Sequence, residues 1–88
     1  MPYIDQKGRK KIGREIDLLI KKLKVLPMEK LDGHLNYCIC RILKELYAPS
    51  YFNYNRMMGV LACVQQEIYR RLVVPYEDKK RRENGDVF

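Results

Sequence analysis

The stretch from Tyr51 to Val73 predicts a helix that is apolar on two sides. At about 100° per residue, one apolar set shares a face roughly 120° wide; it comprises Met57, Val60, Leu61, Val64, Ile68 and Leu72. A narrower set on the far side, which we call the second stripe, comprises Tyr51, Met58, Ala62, Tyr69 and Val73. A helix with two apolar faces is usually central in its fold or shared with a partner chain. In a chain of 88 residues self-association is the economical explanation, so we expect the second stripe to be the interface of a homo-oligomer.

Helical spacing of apolar residues also predicts two helices before this stretch, and proline punctuation predicts a short one after it. The predicted helices cover residues 8–25, 28–47, 51–74 and 75–83. Pro27 and Pro49 separate the first three, because proline cannot continue the hydrogen-bond ladder of a helix. The apolar stripes of the first two helices are formed by Ile12, Ile16, Leu19, Ile20 and Leu23, and by Met28, Leu31, Leu35, Cys38, Ile39, Ile42 and Leu46. No strand-like alternation appears, so we predict an all-α fold: one domain, 1–88, built as a small bundle of three main helices with a short C-terminal fourth helix.

Size and composition restrict the class of protein further. The chain is 47% hydrophobic and 33% charged, which is typical of a globular protein. No apolar run approaches the roughly 18 residues of a membrane span, and the first residues lack the apolar segment of a secretory signal. The three cysteines form no framework spacing, which favours free thiols in a reducing compartment. We therefore expect a cytoplasmic protein without a membrane partner.

Most of the positive charge lies in the first predicted helix. Residues 1–24 carry eight Lys/Arg and three acids, so they contribute +5 of the net charge of +7. Lys7, Arg9, Lys10, Lys11 and Arg14 are candidates for contacting nucleic-acid phosphates, which basic side chains neutralise. However, the turn around Pro49 lacks a helix-turn-helix signature, and Lys/Arg also simply keep small helical proteins soluble. Nucleic-acid binding is therefore the alternative function and not the leading one.

One flank of the third predicted helix carries charged side chains that have two interpretations. Arg56, Cys63, Glu67 and Arg70 align along it, with Arg71 slightly nearer the wider apolar face. The simpler interpretation is a stripe of helical ion pairs, since Glu67 precedes Arg70 by three and Arg71 by four residues. The other is a site for a phosphate or carboxylate, which guanidinium groups suit geometrically. Its candidate residues are Asn53, Asn55, Arg56, Glu67, Arg70 and Arg71, with Tyr37 and Tyr54 able to stack on a ring.

The run PSYFNYNR at residues 49–56 likewise has a structural interpretation and a ligand-binding one. Ser50 is a favourable N-cap, so the run can simply begin a helix, with Asn53 capping and the aromatic side chains clamping the turn. It can also present Asn53, Asn55 and Arg56 to a ligand between tyrosine walls. The residues alone leave both open.

Catalytic and metal chemistry find little support in the sequence. There is no glycine-rich phosphate loop, no repeated carboxylate pattern for magnesium and no nucleophile–histidine signature at a recognisable spacing. His34 and Cys38 with Cys63 could supply three zinc ligands, but the chain has one histidine and no CxxC pair, and small buried cysteines explain these residues better. We predict no catalytic residue, no metal and no cofactor. An enzyme stays the less favoured alternative, because sites can be assembled from residues distant in sequence.

The long runs PSYFNYNRMMGVLACVQQEIYRR and PYEDKKRRENGDV, with PYIDQKGRKK and LDGHLNYCICRIL before them, carry a resemblance over nearly the whole chain. The chain resembles a family of short proteins from bacteriophages and prokaryotes known as a domain of unknown function. The resemblance implies a small helical, phage-associated protein and brings no activity or functional residue. Together with the residues above, it leads us to expect a non-catalytic, oligomeric binding protein. Such a protein would mask a host protein or sequester a small anionic ligand, in the host cytoplasm if it is phage-encoded.

Overall fold

The computed structural model describes residues 3–88, which are helical almost throughout and contain no strand. Helix α1 covers Gln6–Lys24, α2 covers Met28–Leu46, α3 covers Tyr51–Ile68, a π-helical turn covers Tyr69–Val73, and α4 covers Val74–Asn84. The predicted all-α class is confirmed. The predicted boundaries agree to within two residues, except where α3 joins α4.

Helix α1 begins two residues before the predicted start because Asp5 caps it. The Asp5 carboxylate oxygen Oδ1 accepts a hydrogen bond from the Gly8 backbone N–H at 2.7 Å, which satisfies one of the donors left unpaired in a first helical turn. At the other end Lys21, Lys22 and Lys24 occupy the last turn, where the helix dipole favours positive charge. Pro27 then stands directly before α2, and its carbonyl accepts the backbone N–H groups of Lys30 and Leu31 at 3.0 and 3.2 Å.

The predicted short C-terminal helix is present as α4, and it continues from α3 through the π-helical turn as one helical segment. Pro75 has no N–H to donate four residues back, and its ring crowds the preceding turn. The backbone adapts by widening: the Val74 N–H bonds to the Tyr69 carbonyl, five residues earlier, which is the π-helical pattern. The segment ends as predicted, since Gly85 takes φ 93° directly after Asn84.

The chain divides into two units, and the boundary between them in the sequence lies between Ala48 and Pro49. In the first unit α1 and α2 contact each other. The second unit consists of the single segment of α3, the π-helical turn and α4. The predicted bundle and single domain stay predictions.

Neither unit has a hydrophobic core of its own. No residue of the described chain is buried, and large apolar side chains stay exposed on every helix. Ile16 of α1, for example, is 48% exposed. Side chains that are half-buried, such as Leu19, Leu23 and Leu31, lie on the faces of α1 and α2 expected to be apolar.

Candidate binding surfaces

The run PSYFNYNR begins helix α3. The Ser50 hydroxyl accepts the Asn53 backbone N–H at 3.0 Å, the N-cap contact expected from the sequence. The Asn53 side-chain oxygen in turn accepts from Arg56 Nη1 at 3.4 Å. Ser50 is therefore the cap, and the side chain of Asn53 is engaged one turn further along the helix.

The first two aromatic side chains of this run point away from the turn that they were expected to clamp. Tyr51 is 91% exposed and Phe52 is also largely exposed. The Arg56 guanidinium carbon, one turn further along the helix, lies 5.7 Å from the centroid of the Phe52 ring. The run thus starts a helix and at the same time presents aromatic surface.

The charged flank of α3 forms two separate groups. Arg70 Nη2 lies 2.9 Å from Glu67 Oε1, with side chains 63% and 34% exposed, which is the ion pair that the spacing favoured. Arg56 belongs to the other group, with Asn53. The separation of fourteen residues from Arg56 to Arg70 corresponds to about 21 Å along a helix. A small anion therefore cannot bridge the two arginines of a single chain directly.

The remaining predicted ligand residues are distributed over both units. Asn55, Tyr54 and Arg71 lie exposed on the α3 segment. Tyr37 belongs to the first unit, where its hydroxyl accepts from Arg41 Nη1 at 3.2 Å. The structure thus assembles parts of the predicted set, Asn53 with Arg56 and Glu67 with Arg70, and separates those parts along the helix.

The first unit carries an open apolar groove that the sequence reasoning missed. Leu19 of α1 lines one side of it, and α2 supplies the other lining residues, which are Tyr37, Cys38, Arg41, Ile42, Glu45 and Leu46. Leu19, Ile42 and Leu46 were recognised as members of apolar stripes, but periodicity does not tell whether a stripe is covered. We call this surface the α2 groove.

The second stripe of α3 is exposed in the chain. Tyr51, Met58, Ala62 and Tyr69 are exposed, and Val73 is half-buried. Only two residues of α3, Arg56 and Glu67, are charged, and both lie more than about 90° from the middle of the stripe by helical geometry. The part of the second stripe that lies on α3 is therefore apolar without a charged border, whereas Tyr69 and Val73 share the π-helical turn with Arg70 and Arg71.

The cations of α1 form a second exposed surface of different chemistry. Lys7, Lys10, Lys11 and Arg14 are exposed on the side opposite the apolar stripe of this helix, whereas Arg9 lies nearer that stripe and donates through Nε to the Ile4 carbonyl at 3.0 Å. The ion pairs found in residues 3–88 all lie between Glu67 and Asp86. Within the described chain, the α1 cations thus have no carboxylate partner.

The three cysteines carry free thiols, with Cys38 half-buried and Cys40 and Cys63 exposed. His34 Nδ1 lies 2.8 Å from the Lys30 carbonyl and so bonds to its own helix. Over residues 3–88 no three His, Cys, Asp or Glu side chains come together in a way that could hold a metal ion. Nor does any helix of this part of the chain have an apolar stretch long enough to cross a membrane.

Comparison with known proteins identifies the family of the chain. The model of a family described as Domain of unknown function (DUF6899) matches residues 1–87, which confirms the resemblance seen in the sequence. Neither the curated proteins nor the solved structures contain a match to the chain.

Proposed function

The chain belongs to the DUF6899 family of domains of unknown function, and we propose that it is a non-catalytic binding protein that acts as a homo-oligomer. The observation that supports this is the amount of apolar surface that each chain leaves in contact with water. The exposed thiols of Cys40 and Cys63 favour a cytoplasmic location.

Large apolar side chains stay exposed in both units of the chain. In the first unit Ile42 is 48% exposed, and in the second Tyr51 is 91% and Met58 60% exposed. Exposed apolar surface of this extent is unfavourable in water, so association that covers it stabilises the fold.

A second copy is the partner that the two faces of α3 favour. Packing of another helix from the same chain against the wider face, which contains Val64 and Ile68, would still leave the second stripe uncovered. A second copy is present wherever the protein is made and offers the same surfaces. We therefore propose that self-association completes the hydrophobic core.

Sedimentation velocity over a range of protein concentrations tests this proposal. We expect a dimer or larger species at micromolar concentration, with a mass independent of concentration until strong dilution. A monomer over the whole range, with helical far-UV circular dichroism, would contradict the proposal.

Two uses of such an oligomer are compatible with its surfaces. In one, copies combine an Arg56 group and an Arg70 group around a small anionic ligand, since a single chain keeps them about 21 Å apart along α3. In the other, exposed aromatic surface around Phe52 masks a host protein, the role that a phage origin would favour.

Native mass spectrometry of freshly purified protein distinguishes the two uses. A retained small anionic mass that is lost in Arg56→Ala and in Arg70→Ala would support the sequestered ligand. A ligand-free oligomer would exclude a tightly held ligand and favour the masking of a protein.

Nucleic-acid binding is a second candidate function, because the exposed cations of α1 lack acidic partners in the described chain. Its test is the double substitution Lys10→Glu with Lys11→Glu, read by fluorescence anisotropy on labelled DNA and RNA. The two substitutions together lower the net charge of α1 by four units. They should therefore weaken binding strongly and flatten its dependence on salt. The matched control, Lys79→Glu with Lys80→Glu in α4, makes the same charge change where Lys80 already pairs with Glu83 at 3.2 Å. If the wild-type protein does not bind at about 50 mM salt, where phosphate contacts are strong, this function is excluded.

A further inference from the structure

We propose that one face of α1 binds the phosphate backbone of a nucleic-acid duplex without reading its sequence. The inference rests on nucleic-acid binding, the second candidate function above, and specifies both the kind of nucleic acid and the contact. It involves only α1 and its neighbour α2, which belong to the same unit of the chain.

Six cations share this face, which we call the α1 cation face. Helical geometry places them within an arc of about 120° and along about 22 Å of the helix axis; they are Lys7, Lys10, Lys11, Arg14, Lys21 and Lys22. All six side chains are exposed, and none takes part in an ion pair of residues 3–88. Lys21 and Lys22 therefore extend the cations predicted near the start of α1 along almost the whole helix.

The density of phosphate charge favours a duplex over a single strand. Double-stranded DNA carries one negative charge per about 1.7 Å of its axis, and each strand alone carries half as many. A stiff array of six cations therefore gains more from a duplex at the same salt concentration. Proteins that bind single strands add aromatic side chains on which the bases stack, and α1 contains no aromatic residue.

Two carboxylates at the borders of the face disfavour the reading of bases. By helical geometry Glu15 and Asp17 lie at its opposite edges, and both are exposed. A helix with its side chains is about 10–12 Å wide, so it fills a major groove of about 12 Å and brings both of its flanks close to phosphates. Inserted in this way, α1 would place Glu15 and Asp17 against phosphates. A helix that lies across the backbone avoids this repulsion and contacts phosphates, which carry no sequence information.

An anionic lipid surface is the other partner that basic amphipathic helices bind, and α1 is less suited to it. Such helices bury their apolar side among the lipids, whereas Leu19 on the apolar side of α1 lines the α2 groove together with residues of α2. Within the α1 cation face, Leu18 is the one large apolar side chain and is 53% exposed. A single leucine offers little apolar area for insertion, so the face matches a phosphate backbone better.

Fluorescence anisotropy with a labelled duplex and with each of its separated strands tests this preference. At about 50 mM salt we expect the duplex to bind about tenfold more tightly than either strand. A duplex of unrelated sequence should bind within about twofold of the first. Six phosphate contacts predict a slope of about −5 for the logarithm of affinity against the logarithm of salt concentration, which is a loss of about 10³-fold between 50 and 200 mM.

The double substitution Lys21→Gln with Lys22→Gln tests the extent of the face. Glutamine has nearly the helix propensity of lysine, so the change removes two phosphate contacts and preserves the helix. We expect the slope against salt to become shallower by about two units. The matched control, Lys79→Gln with Lys80→Gln in α4, makes the same charge change and should leave the slope as it is in the wild type.

The outcomes separate this inference from the function on which it rests. If the protein binds nucleic acid but prefers single strands, prefers one sequence by about tenfold or more, or keeps its slope in the Lys21/Lys22 variant, the inference is wrong while nucleic-acid binding stands. If the wild type binds neither duplex nor strand at about 50 mM salt, both are wrong. Binding to vesicles of phosphatidylcholine and phosphatidylglycerol without binding to the duplex would assign the α1 cation face to a lipid surface and overturn the inference.

Discussion

Helices α1 and α3 have nearly the same length but differ in how many of their residues are charged. Ten of the nineteen residues of α1 are charged, and most of them lie on the side opposite Ile12 and Ile16. Only two of the eighteen residues of α3 are charged, and apolar side chains occupy two of its faces. Helix α1 can therefore leave one side in solvent, whereas α3 has to be covered on two sides before its apolar surface is removed from water. The difference shows that the pattern of charges along a helix, and not its length, decides how many of its sides favour being covered.

We expect the largest effect on self-association from a substitution that places a charge in the second stripe. Tyr69→Glu in the second stripe should raise the dissociation constant of the homo-oligomer about 100-fold, because the carboxylate would be desolvated without a partner. Sedimentation equilibrium measures the shift. Tyr76→Glu, the same exchange on the highly charged α4, should leave the mass distribution unchanged; an equal effect of both substitutions would remove the second stripe from the interface.

Replacing the proline between α3 and α4 should have the next largest effect. In Pro75→Ala the backbone regains a donor for the carbonyl of Arg71, so the π-helical turn can revert to an α-helical one. We expect the free energy of unfolding to rise by about 2 kcal/mol, measured by urea denaturation at a fixed protein concentration. Pro49→Ala, outside the helices, should be neutral or slightly destabilising. A loss of stability in Pro75→Ala would mean that the widened turn is itself stabilising.

We expect the N-cap side chains of α1 and α3 to contribute equally to the stability of the protein. Asp5→Ala and Ser50→Ala each remove the side chain that accepts a first-turn N–H, so each should cost about 1 kcal/mol of stability. Thermal unfolding followed by circular dichroism gives the comparison. Ser50→Asp should retain most of the stability, since aspartate caps equally well; a matching loss in that variant would show that the hydroxyl of Ser50 has another role.

The smallest effect is expected at the ion pair of the α3 segment. Glu67→Gln removes the charge that pairs with Arg70 at an exposed position and should cost about 0.3 kcal/mol at low salt. The loss should vanish near 1 M NaCl, where screening acts over about 3 Å. Glu77→Gln in α4, whose carboxylate takes part in no ion pair of the described chain, is the matched control. A loss of 2 kcal/mol or more would show that Glu67 is buried and paired in the assembled protein.

Much of the candidate surface could be predicted from the sequence, because it depends on positions along single helices. The cap at Ser50, the pair of Glu67 with Arg70 and the two faces of α3 all follow from spacing within one helix. The cap at Asp5 was missed, although an aspartate three residues before Gly8 was a visible signal. The opening of α3 turned out to be a helix start whose aromatics face outward, since a cap needs only the short side chain of Ser50 and leaves Tyr51 unrestrained.

The sequence by itself determined the helical class, the helix limits and the charge difference between α1 and α3, because the backbone of a helix sets which side chains share a face. Only the tertiary structure decided that Ile42 and Leu46 line an open groove, since burial depends on contacts between helices that no local pattern contains. It also decided that α4, which starts next to Pro75 as predicted, joins α3 through a π-helical turn and not through a break. Both outcomes, a broken helix and a π-helical turn, relieve the missing N–H and the ring clash of proline, so the position of Pro75 in the sequence does not by itself choose between them.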